Sequence, residues 1–361
     1  MEKYDFTIFY RLVGIGGKGV GKSTMLKYIS NQLIQNIGPI IWIDLDPGQA
    51  EFTLPGCLSC TILRNPILGP NFTHLDQEVI KQVYLGTVNV SEVMQRYHHA
   101  VEYLVNFLKA DSNLVSMPWV VNTMGFNRGL GVTLLKKSLK LLNPTNLVEV
   151  RSRFAKKNYE CNFRDYASQN LPNCNVMSFE AVPESMNVEM GVQDNWGIPE
   201  PYKLRDIVIL SYIEQRNLMN HPVFSVPIQA LNIQFLNFAD KKPISTELAL
   251  NTALVSLGNV VDKENVRILP NQLIIDSLGF GAIVGINHEK RLLYLKTSLS
   301  EDELSSINCV TCGSIQLPHG YFKSKGKNGD PYVQAKQDLE TPLNVPWQKS
   351  GKPRLTEFQQ K

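Results

Sequence analysis

The stretch Gly16-Gly17-Lys18-Gly19-Val20-Gly21-Lys22-Ser23 limits what this chain can fold into more than any other feature. It fits G-x-x-x-x-G-K-[ST], whose chemistry works only where a strand ends just before it and a helix opens on its last residues. Both flanks comply. Phe9 to Ile15 is a strand-like apolar run ending in glycine, and Ser23 to Gln35 places Leu26, Ile29 and Leu33 on one helical face. In that setting the glycines let backbone N–H groups wrap a phosphate, and the helix N-terminus adds the positive end of its dipole. Lys22 can reach the β- and γ-phosphates and the Ser23 hydroxyl can ligate Mg²⁺. Gly16, Gly17, Lys18, Gly19, Val20, Gly21, Lys22, Ser23 and Thr24 are the predicted cofactor-binding residues.

A phosphate cradle needs an acid on the metal side. The next strand, Ile40 to Leu45, runs into Asp44-Leu45-Asp46-Pro47-Gly48-Gln49. Two carboxylates two residues apart share a face if the strand continues, at the C-terminal edge where open α/β sheets bind ligands. One could hold Mg²⁺ through water while the other accepts a proton from an attacking hydroxyl; for either residue alone, capping a turn is the structural alternative. Switch ATPases with a deviant loop carry a lysine five residues before the invariant one. Here that place is Gly17, which counts against that subclass. No N-K-x-D guanine-reading string is present, which disfavours a GTPase.

The remaining pattern predicts an α/β fold: a P-loop NTPase parallel sheet with flanking helices, followed by a smaller β-rich C-terminal domain. Helices are expected over Ser91 to Lys109, Val132 to Leu142 and Leu204 to Leu218, with strands at Trp119 to Asn122 and Leu147 to Val150. Between about Arg151 and Pro201 the periodicity gives way to polar, Asn-rich sequence, too long for an ordinary connection and so read as a lid or insertion. After His221-Pro222, strand patterns dominate: Leu231, Ile233 and Phe235 alternate, and Ala282 to Ile286 and Arg291 to Lys296 flank a turn. At 361 residues the chain exceeds twice the size of an average domain. The division expected is a P-loop domain over 8–220, with its lid or insertion at about 151–205, a β-rich domain over 222–335 and a basic tail over 336–361.

Composition excludes several classes. Hydrophobic residues make up 43% and charged residues 19%, and no apolar run approaches the roughly 20 residues of a membrane helix, so no membrane association is expected. The N-terminus lacks the order of a signal peptide, which predicts a cytosolic or nuclear protein with reduced thiols. The two C-x-x-C spacings, Cys57/Cys60 and Cys309/Cys312, are far apart in sequence and read as small buried hydrophobes rather than a zinc site. Net charge is only +3, but from Tyr321 onward eight basic residues face four acidic ones. Such a tail fits weak attraction to nucleic acid or a merely solvated terminus.

Six strings in one order then carry a resemblance: GGKGVGKST, DLDPGQAEFTLPGCLS, GPNFTH, YLG, VNTMGFNRGLG and GAIVGINHEKRLLYL. Together they resemble the polynucleotide 5′-hydroxyl kinases, and EFTLPGCLS and GPNFTH look like the nucleolar pre-rRNA-processing branch. The sister branch, RNA kinases of tRNA splicing and messenger 3′-end formation, fits the proline-glycine-cysteine stretch less well. The resemblance implies transfer of the γ-phosphate of ATP, with Mg²⁺, to an RNA 5′-hydroxyl in the nucleolus, beside an endonuclease partner that makes such ends. It puts the metal- and hydroxyl-handling acid on Asp46 with Asp44 beside it, and metal ligation on Ser23 and Asp46. It puts a substrate clasp on Thr123, Gly125 and Phe126, and basic lid residues that meet the transferring phosphate on Lys203 and Arg205. Phe126 is read as a stacking platform for a terminal base or as core, and His74 as a substrate neighbour or a turn-stabilising residue. The family carries a domain ahead of the loop that helps hold the adenine. Here fifteen residues precede Gly16, which is read as a shortened isoform or an incomplete gene product. The competing reading from another class is an ATP-binding scaffold of an RNA-processing complex that lacks catalysis.

Overall fold

Parallel pairing places the phosphate loop at the centre of a sheet. Strand β1 (Arg11–Gly16) lies between β5 (Trp119–Thr123) and β6 (Asn146–Arg151); β2 (Ile40–Leu45) flanks β5 and β7 (Asn175–Glu180) flanks β6, all parallel. The chain leaves β1 toward β2 on one side and later toward β6 on the other. A ligand crevice therefore opens at the end of β1, where the strand order reverses. The computed structural model describes residues 10–181, 200–236, 249–260 and 268–318. The proposed tail at 336–361 and residues 182–199 of the expected lid lie outside the described residues.

Alternation along these strands explains the layers, because successive side chains point to opposite faces. Val13, Ile15, Ile41, Ile43, Val121 and Leu147 pack beneath helices α2 (Met94–Ala110), α4 (Leu130–Leu142) and α5 (Phe163–Asn170). Leu12, Ile40, Trp42, Val120 and Val148 face the other way, toward Leu26 and Ile34 of α1 (Lys22–Ile37). Gly14 lies opposite Leu26, whose side chain sits where a Cβ would be. Helix α3 (Ser112–Ser116) is a short turn capped by Asp111 ahead of β5. The first helix and the strands at 40–45, 119–123 and 146–151 stand where the periodicity puts them, within about two residues.

Where the sequence loses its periodicity after Arg151, the structure contains the short helix α5 and strand β7, which extends the parallel sheet by one place. Two further strands have no counterpart in the sequence reading. β3 (Cys57–Leu63) pairs antiparallel with β2, and β4 (Glu78–Tyr84) antiparallel with β3, so the central sheet is mixed. Through β4 the sheet continues into the C-terminal region: β8 (Phe224–Pro227), β9 (Asn232–Phe235), β10 (Leu254–Asn259), β11 (Ile268–Leu269), β12 (Asp276–Asn287), β13 (Leu292–Thr297) and β14 (Cys309–Cys312). The described strands run as one path, β11-β9-β14-β10-β12-β4-β3-β2-β5-β1-β6-β7, with β13 and β8 branching from β12.

The junction at β12 and β4 is narrow, a single registered pair of Asp276 with Val83, and side chains reinforce it. Lys81 Nζ donates to Asp276 Oδ2 at 2.7 Å. Buried Arg96 on α2 donates to the carbonyls of Asn271 and Leu273, both at 2.7 Å, and to that of Tyr84 at 2.9 Å. Helix α6 (Pro201–Gln215) packs Val208, Ile209, Tyr212 and Ile213 against Leu54, Cys57 and Tyr84 on one side and Phe280 and Ala282 on the other. Helix α7 (Glu301–Ser306), with a Ser300/Glu303 capping box, leads into β14. All four C-x-x-C cysteines are buried strand residues, Cys57 and Cys60 in β3 and Cys309 and Cys312 in β14. Burial pushes each thiol upward, Cys309 to about 11 and Cys312 to about 12.

Candidate active site at the end of the first strand

A cleft of about 660 Å³ opens over the C-terminal ends of β1, β2 and β5. That is a size suited to a nucleotide-scale ligand. Its floor is the glycine-rich loop. Gly21, the residue before α1, is left-handed at φ 85°, and no side chain caps the helix N-terminus. The first-turn N–H groups, which a helix cannot satisfy internally, are thus left to face the cleft, where they can bind phosphate oxygens. Lys22 is only 6% exposed. Burial lowers its pKa, while the charges of Asp46 and Asp44 act to raise it, so its ammonium sits in the field of both carboxylates.

The two aspartates diverge because β2 ends between them. Asp44 is fully buried and accepts three hydrogen bonds: from the Asp46 N–H at 3.1 Å, the Glu51 N–H at 2.8 Å and Asn122 Nδ2 at 3.0 Å. Desolvation and the neighbouring Asp46 push its pKa up to about 7, with the two backbone donors opposing that shift. Asp46 lies past the strand in a turn, lines the cleft, and accepts the Gly48 N–H at 3.0 Å.

Asn122 was not among the residues singled out from the sequence. It stands in register with Asp44 on one side and Gly14 on the other. Its Oδ1 accepts from Ser23 Oγ at 3.2 Å while its Nδ2 donates to Asp44, so a chain of bonds runs Ser23, Asn122, Asp44. The only available signal was a polar residue closing an otherwise apolar strand, Trp119-Val120-Val121-Asn122. The hard oxygens of Ser23 and Asp46 beside this chain form a donor set of the type Mg²⁺ takes.

The clasp residues take three different positions. Thr123 is buried and its Oγ1 donates to the Gly14 carbonyl at 2.7 Å, tying β5 to β1 beneath the loop. Gly125 meets the phosphate loop backbone: a Cβ there would stand 2.8 Å from both N and Cα of Lys18. Phe126 is 38% exposed on the cleft wall, with its inner edge over Gly131 at the start of α4, where any side chain would collide with the ring. Phe126 is therefore accessible from the cleft rather than sealed in the core.

Of the two lid cations, Arg205 lines the cleft with Pro201, while Lys203 is exposed outside the lining, near the Tyr202 ring. Burial lowers the Arg205 pKa. Gly16 and Val20 sit behind the loop, and Gly17, Lys18, Gly19, Gly21, Ser23 and Thr24 line the cleft. His74 does not line it. Its Nε2 bonds Glu51 Oε1 at 2.9 Å, and Lys27 of α1 donates to the same oxygen at 3.1 Å. This buried group fastens the segment around residues 69–74 to α1 and, through the Glu51 N–H, to Asp44. Val88, Asn89, Val90 and Ser91 form the remaining wall and carry no sequence signal of their own.

The chain is similar to known proteins over most of its length. Residues 16–186 match the family described as the mRNA cleavage and polyadenylation factor CLP1 P-loop, and residues 219–318 match the NOL9-like, C-terminal domain. The human protein named polynucleotide 5′-hydroxyl-kinase NOL9 is 29% identical over 376 residues, covering 91% of this chain and 52% of its own length. The Arabidopsis thaliana protein of the same name is 26% identical over 341 residues, covering 89% of each chain. The Candida glabrata protein named polynucleotide 5′-hydroxyl-kinase GRC3 is 24% identical over 367 residues, covering 92% of this chain and 55% of its own. The chain spans about half the length of the human, bovine and mouse relatives. A solved complex of Clp1p with residues 454–563 of Pcf11p superposes with a TM-score of 0.63 at 17% identity, over 85% of this chain and 74% of that one; the fold is shared.

Proposed function

We propose that this chain, a homologue of the NOL9 and GRC3 polynucleotide 5′-hydroxyl-kinases, transfers the γ-phosphate of ATP to the 5′-hydroxyl end of RNA. The observation that carries the reading is the convergence on one cleft of an uncapped P-loop helix, Asp46, the clasp aromatic Phe126 and the cation Arg205. Phosphoryl transfer is mostly positioning and charge neutralisation, and these groups supply both. Loop amides and Lys22 hold the β- and γ-phosphates, and Arg205 meets charge on the transferring group. Asp46 accepts the proton of the 5′-hydroxyl as its oxygen attacks the γ-phosphorus and the bond to the β-phosphate oxygen breaks, releasing ADP. Asp44 acts through its bond to the Asp46 N–H, and Lys203 adds to the positive field at the mouth. Mg²⁺, held by Ser23 and Asp46, would neutralise phosphate charge when bound. Thr123 and Gly125 fix the clasp against the loop, Phe126 stacks the terminal base, and His74 positions Glu51.

The nucleolus as location and an endonuclease that generates 5′-hydroxyl ends as partner complete the reading, supported by the names of the relatives and the resemblance in the motifs. The family matches at 16–186 and 219–318 support a division into a P-loop domain and a β-rich domain near residue 220. Incubation with γ-labelled ATP and a 5′-hydroxyl oligoribonucleotide tests the activity: labelled oligonucleotide is expected, and none with Lys22→Ala. ATP binding without labelled product would replace the kinase by the scaffold reading.

A further inference from the structure

Beyond the cleft, the loop after β6 carries a feature that the phosphoryl-transfer chemistry leaves unused. Arg151-Ser152-Arg153-Phe154-Ala155-Lys156-Lys157 holds four cations and no acid in seven residues. Arg151, Arg153, Phe154 and Lys156 are exposed, and Phe154, a large apolar ring, is 45% accessible. The Arg153 guanidinium lies 5.0 Å and the Lys157 ammonium 5.9 Å from the Phe154 ring centroid. An exposed aromatic face flanked by cations is the arrangement by which proteins hold single-stranded nucleic acid, the ring stacking a base and the cations tracking its phosphates.

This loop is held by side-chain hydrogen bonds and adjoins the clasp. Asn158 closes it, accepting the Ser152 N–H at 2.7 Å and donating to the Ser152 carbonyl at 2.6 Å. Asn127, the residue after the clasp aromatic, donates Nδ2 to the carbonyls of Lys156 at 3.0 Å and Asn158 at 2.8 Å. On its other side the loop touches the phosphate loop at Gly17, where any side chain would collide with the Lys157 carbonyl. Two partly exposed aromatics, Phe126 and Phe154, are thus joined through one asparagine, with Arg128, exposed and paired with Glu160 at 3.4 Å, beside the clasp.

We infer that the Phe154 loop is a second nucleotide subsite for the acceptor strand: it stacks a base 3′ of the terminal nucleotide and holds its phosphodiester with Lys156 and Arg153. The inference rests on the kinase reading for the direction of the strand, but the chemistry it requires is only that of a single-stranded polynucleotide. A polymer is favoured over the adenine of ATP because Phe154 lies outside the concave cleft, on an open surface, with more cations than one base needs. Small ligands take concave sites, whereas a strand can lie across an open one.

The test is binding without transfer. Affinities of the full chain for 5′-hydroxyl oligoribonucleotides of two to eight nucleotides are measured by fluorescence anisotropy, with ATP affinity measured separately. Wild type is expected to gain affinity with length, and Phe154→Ala to weaken the longer oligonucleotides by roughly 5- to 150-fold while leaving dinucleotide and ATP affinity within twofold. Lys156→Ala is expected to lower the slope of log Kd against log salt by about 0.7, the loss of one phosphate contact on a single strand. Unchanged long-oligonucleotide affinity in both variants overturns the inference, and so does a loss of ATP affinity in Phe154→Ala, which would assign the ring to the donor nucleotide. No phosphoryl transfer enters these measurements, so failure of the kinase reading would appear in the labelling assay and leave the binding result standing. Both positions are exposed, and melting temperature, expected to stay within about 2 °C, checks that the fold is intact.

Discussion

Gly125→Ala tests how rigidly the clasp is docked on the phosphate loop. The new Cβ would stand 2.8 Å from Lys18 N and Cα and 3.1 Å from Gly17 C, all backbone atoms. Ordinary contact is near 3.6 Å, so the two segments must separate by about 0.8 Å. The end of β5 cannot yield easily, because Thr123 is bonded to Gly14 and the strand is paired on both edges. Displacement therefore falls on Gly17 and Lys18, which line the cleft and which the proposed function gives to the phosphates. Overpacking of this kind costs about 1–3 kcal/mol, and a shift approaching 1 Å forfeits one charge-assisted hydrogen bond worth about 1.5–3 kcal/mol. ATP affinity is then expected to fall roughly 10- to 150-fold, with a melting temperature lowered by only a few degrees because the change is local to a loop. Titration calorimetry with ATP, beside thermal melting, reads both quantities. ATP affinity within twofold of wild type would refute the rigid docking of clasp on loop.

Three other outcomes are expected. Asn122→Ala removes the acceptor of the Ser23 hydroxyl, so the Mg²⁺ concentration for half-maximal enhancement of ATP binding should rise roughly 10- to 100-fold, with binding in chelator unchanged; an unmoved Mg²⁺ dependence would remove Asn122 from orienting Ser23. Arg96→Ala removes the donor to the carbonyls of Tyr84 and Asn271, while that of Leu273 keeps Gln234 Nε2, so stability should drop by about 2–4 kcal/mol and the melting temperature by about 5 °C, and a drop below 2 °C would show that α6 and the Lys81–Asp276 bond suffice to hold the two halves together. The raised thiol pKa values predict that at pH 8 Ellman's reagent reaches Cys161 and Cys174 slowly and the other four cysteines only on unfolding. Cys309, at about 11, has about 100-fold less thiolate than a thiol at 9, and its reactivity should climb with pH toward that value; fast reaction of all six in the native protein would contradict the burial.

The P-loop unit and its parallel neighbours were legible because each element announces itself locally: a glycine-rich turn between an apolar run and a 3.6-residue periodicity, then another apolar run ending in acid. The β3–β4 hairpin was not. Cys57 to Leu63 is buried on both faces yet contains Ser59 and Thr61, so it shows neither alternation nor an unbroken apolar run, and the Pro-Gly turn before it reads as loop. Likewise β7 is an edge strand, Asn-Val-Met-Ser-Phe-Glu, whose burial is partial and whose pairing partner lies 29 residues back. Asn122 escaped for a related reason: its importance comes from registry with Asp44 across two strands, and spacing along one strand carries no record of that.

The same registry explains why two carboxylates that look equivalent in sequence cannot do the same work. Among the described residues the hydrogen bonds to Asp44 come from two backbone N–H groups and one amide Nδ2, so its oxygens are committed as acceptors inside the protein. Its negative charge is sunk beneath the loop, where it helps offset the desolvation of Lys22. Asp46, one residue past the end of β2, has its backbone N–H fixed by Asp44 and its carboxylate turned into the cleft. A buried anchor therefore holds an exposed one in place. Placing both in the strand would bury the cleft-facing acid, and placing both in the turn would leave Lys22 buried with less compensating charge and Asp46 without the bond that fixes its backbone. Ending the strand between them resolves both demands, and Pro47, which cannot donate to a ladder, is the residue that enforces the stop.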